Sequence, residues 1–220
     1  MATFSIQRLH PALGTDFRNA THSRLAKVFL GQGALDKACG LCCLVMALIL
    51  LGEANHEEAE RLLGTRHAAL RRLRRRTTSV FAEGMSEDDF VEAVAATTLK
   101  IDAIRGESGE HRLCLSHTVR GLQAGRISAL GIASKDWGWH HWVLAVGLEG
   151  MERDRRFAPN AILCLDPSSD PWPSCGFNAR LLLNVPRPGA RYLRYSSSNT
   201  PRSNVTVSNA VVLSKRRIYA

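Results

Sequence analysis

The sequence predicts an α+β domain, in which a helical layer containing one buried helix packs on a largely antiparallel sheet. Three observations lead there. Helical spacing fills the first half of the chain and strand patterns fill the second, so runs of helices precede runs of strands. The stretch Ala38 to Leu51 is apolar on every side, which marks a helix with no solvent face. Over 220 residues, 45% are hydrophobic and 22% charged, enough to bury a core and unlike a disordered chain.

No internal repeat is visible. Residues 1–30 read as an N-terminal extension to a domain over 31–220, with a helical part over 31–125 and a sheet part over 126–220. Asp36 is placed to cap the buried helix, which should end near Gly52. Asn55 then opens HEEAERLLGTRHAALRRLRRR, with Leu62, Leu63, Leu70 and Leu73 at helical spacing. Its acids come early and its arginines late, as the helix dipole favours, and Gly64 can split it in two. Ser86-Glu-Asp-Asp89 is a capping box that opens a third helix, FVEAVAATTL. Ser116 to Gln123 reads as a fourth. Short apolar runs bounded by Gly, Pro, Asn or Ser then predict strands. They are Ile127–Ala133, Trp142–Leu148, Ala161–Leu165, Ala179–Val185 and Ala210–Leu213, with Lys100–Ile104 as a further one. Pro186 to Asn204 is rich in Pro, Ser and Arg and reads as a loop.

Lys and Arg number 29 against 20 Asp and Glu, a net charge of +9 that permits acidic partners without naming one. The longest apolar run falls short of the roughly 20 residues a bilayer-spanning helix needs. The N-terminus has no apolar core of the Sec signal type, so synthesis in a cytoplasm is the expectation. Six cysteines in this length do not make a disulfide scaffold, and Cys39, Cys42 and Cys43 crowd together. No cofactor is implied.

Three segments carry chemistry. In GQGALDKACGLCC, Cys39 stands at the start of the buried helix. Unpaired backbone N–H groups and the positive dipole end favour its thiolate there. Gly40 would let a substrate backbone approach, and the Gln32 amide beside the Cys39 N–H would bind an oxyanion. Cys42 and Cys43 lie deeper in the helix and should be inert. In WGWHHWVLAVG, His141 opens a strand and can lean toward the helix start, while His140 points to the opposite face and is counted among the substrate-binding candidates with Gly40, Trp137 and Trp139. Trp137 and Trp139 either line a substrate groove or belong to the core. In AILCLDPSS, Asp166 ends a strand before Pro167 turns the chain. Its carboxylate can accept from the imidazole Nδ1–H and fix the tautomer.

Taken singly, these signals are ordinary: a buried cysteine, a sheet-edge histidine, a turn. Together, GQGALDKACG, HHWVLAVG and LCLDP resemble the papain-like superfamily of cysteine peptidases. Within it, the chain is most similar to the bacteriocin-processing peptidases, which cut leader peptides after a double glycine. The resemblance implies a papain-like fold, with Cys39 as nucleophile, His141 as base and acid, Asp166 as orienter and Gln32 as oxyanion donor. It implies cleavage of a protein substrate after small residues such as Gly-Gly. A stand-alone protease without a signal peptide also resembles the papain-like toxins that specialised bacterial secretion systems deliver into competing cells. An acidic immunity protein would then suit the +9 charge.

Rival readings stand beside this one. The same thiol–imidazole pair supports glutamine deamidation or transglutamination, and a retired peptidase fold can serve as a binding module. Cys39-Gly-Leu-Cys42 also has the spacing of a thioredoxin-like redox site, but GQGALDK is a poor preceding strand. Three cysteines on one helix do not converge on zinc. Arg71 to Arg76 can contact nucleic acid but reads first as the solvated face of an amphipathic helix.

Overall fold

A computed structural model describes residues 4–20, 27–33, 37–60, 68–106, 109–136, 138–172, 174–183, 192–200 and 202–216, apart from the side chains of 60, 81 and 82. Among them are six helices: α1 (Cys39–Leu50), α2 (His56–Glu60), α3 (Ala68–Arg76), α4 (Val80–Glu83), α5 (Glu87–Thr97) and α6 (His111–Gln123). Eight strands accompany them: β1 (Phe4–Leu9), β2 (Ile101–Arg105), β3 (Ile127–Ser134), β4 (His140–Arg153), β5 (Arg156–Leu165), β6 (Ala179–Leu182), β7 (Leu193–Ser197) and β8 (Ser203–Lys215).

The sheet corrects the expected fold class. Strands β3 to β8 close on one another as a six-stranded antiparallel barrel, in the order β4-β3-β8-β7-β6-β5 and back to β4. The α+β, papain-like layer of helices over a sheet is therefore not the architecture. Two long strands produce the closure. One edge of β4 pairs β3 through His140–Ala145 and β1 through Gly147–Glu152, while its other edge pairs β5. β8 pairs β3 along one edge, and β7 and β2 in turn along the other. Glycines permit this crowding: a Cβ on Gly150 would stand 2.3 Å from the Ala158 carbonyl oxygen, and one on Gly147 2.6 Å from that of Arg8. Each sits at a bulge in the β4–β5 register.

Barrel strands are buried on both faces. Trp142, Leu144 and Val146 of β4 face the helices, and Val143 and Ala145 face the barrel interior with Leu130, Ile162, Leu181 and Tyr195. That is why these strands read as continuous apolar runs rather than alternating ones. The sequence reading missed β1, and it took Pro186–Asn204 for a loop although β7 lies within it. Much of 1–30 is built into the domain. β1 pairs β4, Phe17, Val28 and Phe29 enter the core, and Asn19 Nδ2 donates to the Ile49 carbonyl at 2.9 Å.

The elements that position the site follow local chemistry. Every residue of α1 is buried, each large aliphatic side chain contributing about 1.5–3 kcal/mol, so its first turn is held rigidly. Its N-cap is Ala38, with no side-chain cap bond; the expected cap Asp36 lies outside the described residues, as do Leu62, Leu63 and Gly64. The Ser86–Asp89 capping box forms and starts α5. Leu70 and Leu73 are buried beneath the arginine face of α3. Arg72 donates to the Ala96 and Thr97 carbonyls, and Arg76 pairs with Glu92.

Candidate active site

Cys39 is the first residue of α1, only 7% exposed, and opens onto a cleft of about 560 Å³. Cys42 N–H is the first to close onto an α1-side carbonyl, that of Ala38. The N–H groups of Cys39, Gly40 and Leu41 therefore form the donor-rich helix end. The Gly40 N–H and the Trp142 N–H, the latter at 3.5 Å, both donate to the Cys39 sulfur. Burial raises the Cys39 thiol pKa, but the hydrogen bond and charge of His141, with these two N–H groups, outweigh it and leave the thiol below its ordinary value.

His141 is the link. Its Nε2 lies 2.6 Å from Asp166 Oδ1, which leaves Nδ1 as the ring nitrogen available to Cys39. This reverses the expected nitrogens, for a geometric reason. The sulfur lies against the β4 backbone at Trp142, on the main-chain side of the ring, and the far nitrogen reaches the carboxylate. Burial pulls the imidazole down, but hydrogen bonds and charges from Asp166 and Cys39 push it up to about 9. Both shifts favour the thiolate–imidazolium form of the pair.

Asp166 directly follows β5 and is 1% exposed. Oδ1 accepts from His141, from the Ser168 N–H at 2.8 Å and from the Ser168 hydroxyl at 2.7 Å. Oδ2 accepts from the Ser169 hydroxyl at 2.8 Å and from the Tyr195 hydroxyl. Burial opposes the charge, yet His141, Tyr195 and Ser168 hold the carboxyl well below the usual carboxylate range. Asn178 fixes the turn, accepting from the Asp166 N–H at 2.7 Å and donating to the Asp166 and Ser169 carbonyls. Sequence reasoning missed Ser168, Ser169, Asn178 and Tyr195. The serines had a readable signal in Asp-Pro-Ser-Ser, because an aspartate commonly bonds the backbone two residues on; Tyr195 arrives on β7 and Asn178 from the turn before β6, and they had none.

The other expected residues divide. His140 is exposed and lines the same cleft as Cys39 and His141. Trp139 does not line the cleft. It packs edge-on against His141 at 6.2 Å and Tyr195 at 6.3 Å, covering the imidazole–carboxylate pair. Trp137 lies outside the described residues. Gln32 is tethered beside the Asp166 turn, its N–H donating to the Pro167 carbonyl at 2.8 Å. Its Oε1 is buried without a hydrogen-bond partner among the described residues. Cys42 has its thiol pushed up to about 12, by burial first and the nearby Cys39 second, so it is a neutral bystander at pH 7.

Gly40 has a different reason from the one expected. A Cβ there would stand 2.7 Å from Met85 Cβ and 3.2 Å from Trp142 Cδ1. The glycine thus admits Met85, whose carbonyl accepts from Trp142 Nε1 at 2.7 Å. Gly40→Ala should displace Met85 and Trp142, lowering stability by about 1–3 kcal/mol and slowing alkylation of Cys39. Thermal melts and iodoacetamide labelling check this; an unchanged melt and labelling rate would show that the contact is slack.

No protein-family model matches this chain, and no curated protein matches its sequence.

Proposed function

We propose that the protein is a cysteine peptidase of the papain-like catalytic type, with Cys39 as nucleophile, and that it cuts a peptide bond in a protein target. One observation carries the reading. The Cys39 sulfur lies against the strand start at His141–Trp142, His141 Nε2 bonds Asp166 Oδ1, and the sulfur opens onto a cleft. Nucleophile, base and orienter within hydrogen-bond reach are the signature of an activated thiol.

The chemistry follows the geometry. The Cys39 thiolate attacks the scissile carbonyl carbon, and the carbonyl π pair moves to oxygen. The Cys39 N–H, with Gln32 as a second donor, stabilises that oxyanion. The His141 imidazolium gives its Nδ1 proton to the leaving amine as the C–N bond breaks. Neutral His141 then takes a proton from water, whose oxygen attacks the thioester. The acid is released and the thiolate–imidazolium pair is restored. Asp166 stabilises the cationic ring throughout without taking its proton.

The preference for small residues such as Gly-Gly and the role as an interbacterial effector rest on the resemblance of the three motifs. One experiment tests both activity and role. Wild type and Cys39→Ala are expressed in bacterial cells, growth is followed, and new protein termini are mapped by mass spectrometry. Arrested growth and new termini with wild type alone support the peptidase. Glutamine converted to glutamate in an intact target supports a deamidase instead. Identical cells, with Cys39 refusing a thiol probe in folded protein, support a binding module. An acidic immunity partner should bind less tightly as salt rises, and salt-independent binding would contradict that pairing.

A further inference from the structure

The cleft beside Cys39 has a charge opposite to that of the chain. Its wall at the α4–α5 junction carries Glu83, Glu87 and Asp89, and Lys37 also lines it. Asp89 is engaged in the capping box, its Oδ2 accepting from the Ser86 N–H and hydroxyl. Glu87 is different. It is 9% exposed, and its Oε2 accepts from Asn209 Nδ2 at 2.8 Å. Asn209 Oδ1 accepts from the Ser208 hydroxyl at 2.9 Å, which orients the amide toward Glu87. Glu87 Oε1 is buried with no hydrogen-bond partner among the described residues, and no cation pairs with Glu87 there.

A buried carboxylate oxygen without a donor is costly, and native proteins leave few of them. The missing partner here is a cationic donor, and the cleft is the side from which one can arrive. Met85 links this wall to the nucleophile: it packs over Gly40, next to Cys39, and stands two residues before Glu87. The geometry points to Glu87 as a specificity residue that receives a lysine or arginine side chain of the peptide held against Cys39. The basic side chain would donate to Oε1, with Glu83 and Asp89 adding longer-range attraction. This deepens the peptidase reading and rests on it for the peptide substrate.

The test separates the two. Fluorescent heptapeptides with a central Gly-Gly carry lysine at each flanking position in turn, against norleucine at the same position. Binding is measured by anisotropy on Cys39→Ala protein, so no turnover is needed. At one position or more, the lysine peptide should bind at least about tenfold tighter, one well-placed charge-assisted contact's worth. That ratio should fall to near one in Cys39→Ala/Glu87→Gln and persist in part in Cys39→Ala/Glu87→Asp. Equal binding of all pairs, or a ratio that survives Glu87→Gln, would overturn the assignment. If the ratio behaves as stated but wild type cuts none of the bound peptides, the cation pocket stands and the peptidase reading falls. Thiol labelling of Glu87→Gln in the Cys39 background confirms that the variant is folded.

Discussion

Replacing Cys39 by Ala should lower peptide cleavage by roughly 10⁴-fold or more and leave the fold intact, and His141→Ala should do nearly the same. Residues that act as one unit lose almost everything when either is removed, so the double variant should be little worse than either single one. His140→Ala should be only modestly impaired, because His140 is exposed on the cleft and has no part in the Cys39–His141–Asp166 chain. Steady-state kinetics on one peptide checks all four proteins. A dead His140→Ala beside an active His141→Ala would move the base by one residue. Activity should also fall as the pH rises through about 9, because the imidazolium that protonates the leaving amine is lost there.

Asp166 should matter twice. Asp166→Asn keeps the volume but turns an N–H₂ toward the hydroxyls of Ser169 and Tyr195 or toward the His141 ring. Cleavage should drop by on the order of 10²–10⁴-fold. Asp166→Ala leaves the imidazolium and the four other donors facing a void. Breaking a buried pair in this way costs about 3–5 kcal/mol, visible as a melting-temperature fall of roughly 2–4 °C per kcal/mol. The pH dependence of stability follows from the same shifts. His141 titrates higher in the folded chain than in the unfolded one. Its contribution is therefore complete below about 6.5 and is lost as the pH rises through about 9. Asp166 is held below 3.8, so its contribution is present above that pH and is lost on acidification. The gap between wild type and Asp166→Ala should close on acidification and shrink only in part above about 9, where the ion pair is lost but the Ser168, Ser169 and Tyr195 donors remain. A constant gap across the whole range would assign the aspartate a packing role only.

Local patterns were legible in the sequence, and closure was not. The helix Cys39–Leu50, the Ser86 capping box and the strands around His141 and Asp166 each announce themselves within a dozen residues. Once they are placed, helix start, strand start and strand end come near one another. Whether the strands lie open or curl into a barrel is decided by the β4–β5 pairing and by two short strands, β6 and β7. A strand buried against helices on one face reads the same whether its other face meets a barrel interior or another layer. Tyr195 shows the cost for the site. It lies in Leu-Arg-Tyr-Ser-Ser, inside a Ser- and Arg-rich stretch, and only barrel closure carries its hydroxyl to Asp166. The ring orientation of His141 was likewise illegible, since it depends on the sulfur lying against the β4 backbone.

The pH dependence of Cys39 alkylation, measured with iodoacetamide on wild type and His141→Ala, tests the thiolate–imidazolium pair most directly. Wild type should react with a midpoint below the ordinary thiol value of 9.0, because His141 stabilises the sulfur anion. In His141→Ala, burial acts with far less opposition, and the midpoint should climb to the ordinary value or above. Coincident profiles in the two proteins, both at the ordinary thiol midpoint, would mean that the two side chains do not form an ion pair.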